Sequence, residues 1–225
     1  MYAIMRREFI SLFKSFKSIA VVAFFFLVSF YISKYISGLG FKVGSSSSSP
    51  YVIGIGILVL LFGFLFGLTL SHDTLNREME SQTIRYLVPR TRRLDIIIGK
   101  YLGIFLFWVV SITLSFLIIS FYAKHFYIMD YLQLLSFMSY VISLTLLLSF
   151  LVKRSTYTMF LSVIMGLFLP AIGFYVTYTT SFWQYFKYLF PYFYLLKYNG
   201  LVVIPFLLAA AMLALVLTLF QRSDL

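Results

Sequence analysis

The sequence predicts an all-α membrane protein, a single bundle of six transmembrane helices over residues 1–225, and three observations predict it. First, 62% of the 225 residues are hydrophobic and only 11% are charged, against roughly 25% charged in a soluble domain. Second, six stretches lack Asp, Glu, Lys and Arg: 18–33, 43–72, 101–123, 131–152, 155–186 and 198–221. All but the first exceed the ~20 residues a helix needs to cross a bilayer. Third, the basic residues segregate by loop. The N-terminus, the 72–100 loop, the 153–154 turn and the tail hold 13 of them, all nine arginines included. The opposite set is Lys34, Lys42, Lys124, Lys187 and Lys197. By the positive-inside rule both termini are expected in the cytoplasm of a multi-pass protein of the cell membrane.

Backbone groups in hydrocarbon must be bonded within the segment, so the spans are read as helices; they do not alternate as barrel strands do. They are placed near 19–37, 51–71, 101–122, 132–152, 156–178 and 201–220. The net charge of +11 is explained by membrane sidedness, so no nucleic acid is expected as a partner. Cysteine is absent, which excludes disulfides and thiolate metal sites. No cleavable leader is expected, because the first apolar run follows a charged amphipathic stretch without a small-residue cleavage pattern.

Residues 1–18 read as an amphipathic interfacial helix. Met5, Phe9, Leu12, Phe13 and Phe16 share one face at helical spacing; Arg7, Ser11, Lys14 and Ser18 lie opposite. Basic groups on that polar face suit anionic headgroups, making membrane lipid a partner. The helix is either a plain anchor or an elbow that also meets a cytosolic protein. In the second span Gly56, Gly63 and Gly67 fall near one face, and Gly63-x3-Gly67 permits close helix contact. That face serves packing inside the bundle, a seam between two chains, or a lining of a path. Pro170 is expected to kink the fifth span.

The longest cytoplasmic segment, 72–100, predicts a helix over 73–88. Asp73 can cap its start, and Leu75, Met79, Ile84, Leu87 and Val88 supply an apolar side. Arg77, Glu78, Glu80 and Arg85 make the remainder charged, and Pro89 ends it. Such a helix, held between two spans, can carry a push from a docked protein; alternatively the loop is merely solvated. Between the last two spans, 174–198 holds 13 aromatics in 25 positions. It is either an interfacial aromatic belt or a re-entrant helical pair over 179–199, turning at Pro191. In the second case Phe182, Trp183, Phe186, Phe190 and Tyr194 are candidate gate residues at the outer face.

The run Asn76-Arg77-Glu78-Met79-Glu80-Ser81-Gln82-Thr83-Ile84-Arg85-Tyr86-Leu87, then Pro89-Arg90 and Ile98-Gly99-Lys100-Tyr101-Leu102-Gly103, resembles the ABC-2 type permease family. So do Arg6-Arg7-Glu8-Phe9 with Phe13-Lys14-Ser15, and the ending Arg222-Ser223-Asp224-Leu225. One position departs from the family pattern: Gln82 stands where a glycine is usual. The resemblance implies that 73–88 is a coupling helix seated on an ATPase subunit. It implies ATPase contacts by Asp73, Arg77, Glu78, Glu80 and Arg85, with Thr83 and Leu87 packing at the seat. It places Arg6, Arg7, Glu8 and Phe9 in the elbow helix. It also implies two permease chains, identical or related, with two ATPase subunits as partners, and export of an amphipathic or hydrophobic peptide, lipid or drug.

Independently of any family, the spans carry no ionisable group away from their ends, where ion-driven transporters keep theirs. Gly99-Lys100 lacks the remainder of a phosphate-binding loop, so no cofactor is expected in this chain; ATP and magnesium would be held by the partner. No paired carboxylates, metal cluster or activated nucleophile is evident, so the chain is not expected to be an enzyme. The rival readings are the membrane component of an uptake system and a non-transporting scaffold.

Overall fold

A computed structural model describes residues 1–38, 50–80, 92–152, 154–179, 182–197 and 201–222. The helices are α1 (Tyr2–Lys14), α2 (Phe16–Gly38), α3 (Pro50–Ser71), α4 (Asn76–Glu80), α5 (Arg93–Ala123), α6 (Ile128–Leu151), α7 (Ser155–Tyr178), α8 (Pro191–Lys197) and α9 (Val203–Arg222). A 3₁₀ helix, Phe182–Leu189, precedes α8. Six of these, α2, α3, α5, α6, α7 and α9, are long and apolar enough to cross a membrane.

α6 is the central helix, and most of its residues are buried. It packs against α3, α5 and α9, while α2 lies along α5 and α3, and α7 lies along α3. The core is aromatic: Phe64, Phe107, Trp108, Phe116, Phe137 and Phe220 are nearly or fully buried. Phe64 meets Phe137 edge-on at 5.3 Å, and Trp108 meets Phe25 of α2 at 5.8 Å. Both distances suit the ring quadrupole. The outward faces of α2, α7 and α9 keep large apolar side chains exposed, as helices facing hydrocarbon do.

Two glycines of the α3 trio set the α3–α6 contact. A Cβ on Gly63 would stand 2.8 Å from Phe137, and one on Gly67 2.5 Å from Val141. A Cβ on Gly56 would meet nothing within 4 Å, so Gly56 is no part of that seam. The Gly-x3-Gly pair thus serves packing inside the bundle.

α1 differs from the expected 2–18 helix. It stops at Lys14, Ser15 is extended (φ −76°, ψ 125°), and α2 starts at Phe16. Its apolar residues turn toward the bundle, with the Phe13 ring 5.0 Å from Phe107 of α5. The seat is a second small-residue pair. A Cβ on Gly103 would lie 2.8 Å from the Met5 carbonyl oxygen, and one on Gly99 3.1 Å from that of Met1. Here backbone approaches backbone, which only glycine permits.

α5 begins at Arg93, upstream of the expected 101, and its 31 residues extend about 46 Å. That exceeds the ~30 Å hydrocarbon core, so the helix projects beyond it. Arg93 Nη1 donates to the carbonyls of Phe220 (2.7 Å) and Gln221 (2.8 Å). A cation there satisfies the last carbonyls of α9 and opposes the helix dipole. α1, α4, the start of α5 and the end of α9 therefore gather at one end of the bundle. α7 runs unbroken through Pro170.

At the other end the aromatic segment is ordered as the 3₁₀ helix and α8. Tyr192 anchors it. Its ring packs among Phe64, Phe137 and Phe174 and fills the space a side chain on Gly173 would need. Its hydroxyl donates to Leu60 O at 2.6 Å. Burial first, then the neighbouring Tyr140, raises the Tyr192 pKa above the ordinary phenol value, so the group stays a donor.

Candidate functional site

The candidate site is the junction where the chain leaves α3, forms α4 and meets α1 and the start of α5. Thr74 closes the turn after α3, its Oγ1 donating to Ser71 O at 2.6 Å. Leu75 and Asn76 then face inward, fully buried. Ser149 Oγ of α6 accepts from the backbone N–H groups of Leu75 (2.9 Å) and Asn76 (3.2 Å), and Asn76 Nδ2 donates to Thr158 Oγ1 of α7. Ser149 Oγ in turn donates to Asn76 Oδ1 at 3.3 Å. The start of α4 is thereby stapled to two spans by groups that burial obliges to pair.

Its other side is held by charge. Lys100, one of the most buried large side chains (1% exposed), stands on α5 above Gly103. Its Nζ lies 3.0 Å from Glu8 Oε1, 3.1 Å from Glu78 Oε1 and 2.7 Å from Thr74 O. An ammonium has three donors, and here all three have acceptors. Arg7 Nη2 adds a 2.5 Å contact to Glu78 Oε1 and a 3.6 Å contact to Glu8 Oε1. Two cations thus face two carboxylates, and the four groups join α1, α4 and α5. Desolvated ions persist only when so matched.

The sequence-predicted residues divide accordingly. Arg7 and Glu8 come together with Glu78. Arg6 is exposed, and Phe9 is half-buried 4.9 Å from the ring of Phe13. Glu78, expected among the docking charges, turns into the chain. Asp73 pairs with Arg77 at 3.4 Å, and the Arg77 side chain is 67% exposed. Glu80 is exposed, and its Oε2 accepts from the first backbone N–H of α7, Ser155, at 3.1 Å. That carboxylate sits where a helix start leaves donors unmatched. The outward face of α4 therefore presents Arg77 and Glu80. The expected 73–88 helix starts later, at Asn76, because 72–75 form a turn, so Asp73 is not its cap. Thr83, Arg85 and Leu87 lie outside the described residues, as does everything from 81 to 88.

Lys100 and Asn76 stand in the resembling run, but sequence reasoning gave neither a role. The signal that would have found Lys100 is its place between Gly99 and Gly103, which puts a charge on a close-packed helix face.

Of the candidate gate residues, Phe182 and Phe186 are exposed, Phe190 is half-buried and Tyr194 is buried. The Tyr194 hydroxyl donates to Tyr188 O at 2.9 Å. Burial, then the nearby Tyr188, raises its pKa. The Trp183 side chain lies outside the described residues.

Beside the charged junction is a cavity of about 220 Å³, bounded by α1, the end of α3, α4 and the start of α5. No protein-family model matches this chain, and no curated protein matches it.

Proposed function

We propose that the chain is the transmembrane subunit of an ABC exporter, a permease that draws power from a separate ATPase. The observation that carries the reading is the position of α4. It is stapled to α6 and α7 through Asn76 and clamped to α1 and α5 through Lys100, with Arg77 and Glu80 left on its outer face. A force applied to that face reaches four helices through bonded contacts.

In this reading both termini and α4 are cytoplasmic, in keeping with the 13 basic residues on that side. The partner holds ATP and magnesium. Its closure pushes α4, and two permease chains rock to move a hydrophobic or amphipathic substrate across the bilayer. The family resemblance of 76–103 supports the same assignment. Arg77 and Glu80 make the polar contacts with the ATPase, whereas Glu78 acts inside the permease.

The test is purification of the tagged chain with its ATPase subunit from native membranes. Reversal of Arg77 to Glu together with Glu80 to Lys is expected to reduce the bound ATPase at least about tenfold, since two mismatched charges cost several kcal/mol. The double variant also loses the Arg77–Asp73 pair and the Glu80 bond to Ser155 N–H, so its folding is checked by size exclusion and melting before ATPase recovery is compared. Equal recovery of the ATPase refutes the docking assignment.

A further inference from the structure

The cavity beside the charged junction lies at a telling depth. Lys17 is the second residue of α2, His72 directly follows α3, and Lys100 stands where the uncharged stretch of α5 begins. All three line the cavity. Three apolar stretches therefore start or stop at its level, and in a membrane that level is the headgroup zone.

Three cations and three carboxylates line the cavity; with Arg7 counted in, which pairs with Glu78 from outside the lining, one cation is left over. Lys100 and Arg7 match Glu8 and Glu78, and Arg77 matches Asp73. Lys17 also lines the cavity and pairs with no carboxylate among the described residues. Polar neighbours accompany it. Ser11 and Ser15 contribute hydroxyls, and His72 is held beside them by its Nδ1, 2.8 Å from Thr69 O. On the same turn of α2, Phe16 is 84% exposed and Ile19 50% exposed.

A single surplus cation among hydroxyls, at headgroup depth and beside exposed apolar side chains, matches one kind of molecule. We infer that the cavity seats the phosphate headgroup of a membrane phospholipid, with Lys17 as counter-ion and the acyl chains running along Phe16 and Ile19. The volume of about 220 Å³ equals roughly seven waters, enough for a phosphodiester and part of its hydration. A lipid held there wedges the α1–α2 corner at Ser15 against the end of α3. The inference rests on the chain's crossing a membrane and not on an ATPase partner, so it is tested on the chain alone.

The experiment is native mass spectrometry of the purified full chain in mild detergent, titrated with phosphatidylglycerol. The parent chain is expected to retain one lipid after washing. Lys17→Ala should lower retention about tenfold, as loss of one charge-assisted contact does. Lys17→Arg should keep it, and Lys14→Ala, on the exposed side of α1, should leave it unchanged. Diacylglycerol, which has no phosphate, should not be retained, and millimolar inorganic phosphate should not displace the phospholipid. Lys17→Gln preserves the aliphatic stem and gives the same reading if Lys17→Ala does not fold. No lipid on the parent chain, equal retention by the Lys17 variants, or retention of diacylglycerol overturns the inference. Displacement by inorganic phosphate also overturns it, in favour of a soluble-anion site.

Discussion

Replacing Lys100 with Met isolates what the buried charge cluster contributes. The two carboxylate oxygens lie 3.0 and 3.1 Å from Nζ, so they are at most about 6 Å from each other. Without the ammonium they repel. At ~6 Å and an effective dielectric near 20 that repulsion is roughly 3 kcal/mol. Arg7 still reaches Glu78 and offsets part of it, while Thr74 O loses a donor at a cost of about 1 kcal/mol. The expected net loss is therefore about 3 kcal/mol, at the low end for breaking a buried ion pair. Thermal unfolding in detergent, followed by tryptophan fluorescence, measures it. Trp108 is a suitable reporter, because it touches Phe107, which touches Phe13 of α1. Adding Glu78→Gln to Lys100→Met removes the uncompensated charge and should recover at least half of the loss. A Lys100→Met variant within ~0.5 kcal/mol of the parent, or a double variant no better than the single, refutes the reading of the cluster as a matched set.

Other substitutions follow from the same contacts. Gly103→Ala should unseat α1, because its Cβ would lie 2.8 Å from the Met5 carbonyl oxygen. A loss of about 1–3 kcal/mol and faster tryptic cleavage at Arg6 and Arg7 would show it. Gly67→Ala should cost a similar ~1–3 kcal/mol at the α3–α6 contact, whereas Gly56→Ala, with open space around it, should be near neutral in the same melt. Asn76→Leu should cost about 2–3 kcal/mol, leaving the Ser149 and Thr158 hydroxyls without that amide. Tyr192→Phe should lose about 1 kcal/mol with the Leu60 bond, and Tyr192→Ala about 3–5 kcal/mol by opening a cavity.

The six apolar helices were legible because their signal is local: a run without charge, long enough to span. Helix bounds are less legible than spans where a charge sits inside a helix. The third span, read from 101, starts after Arg93, Asp95 and Lys100, whereas the helix α5 runs through all three. Lys100 is tolerated there because carboxylates from Glu8 and Glu78 reach it, and pairing between residues so far apart in sequence leaves no periodic trace. The amphipathic pattern of α1 was readable, but its apolar face packs on α5 through Gly99 and Gly103. A hydrophobic stripe does not say whether lipid or a neighbouring helix covers it. The charged residues of 76–80 were also visible, but not their directions. On so short a helix one position decides whether a carboxylate meets solvent, as Glu80 does, or a buried lysine, as Glu78 does.

A photo-crosslinking residue placed at Glu80, activated in native membranes, measures most directly whether the outer face of α4 receives an ATPase. The expected result is a covalent adduct with a nucleotide-binding subunit, weaker when the crosslinker is moved to Phe160, exposed on α7. An adduct with lipid alone, or labelling of position 80 from the exterior by a membrane-impermeant reagent, would contradict the assignment.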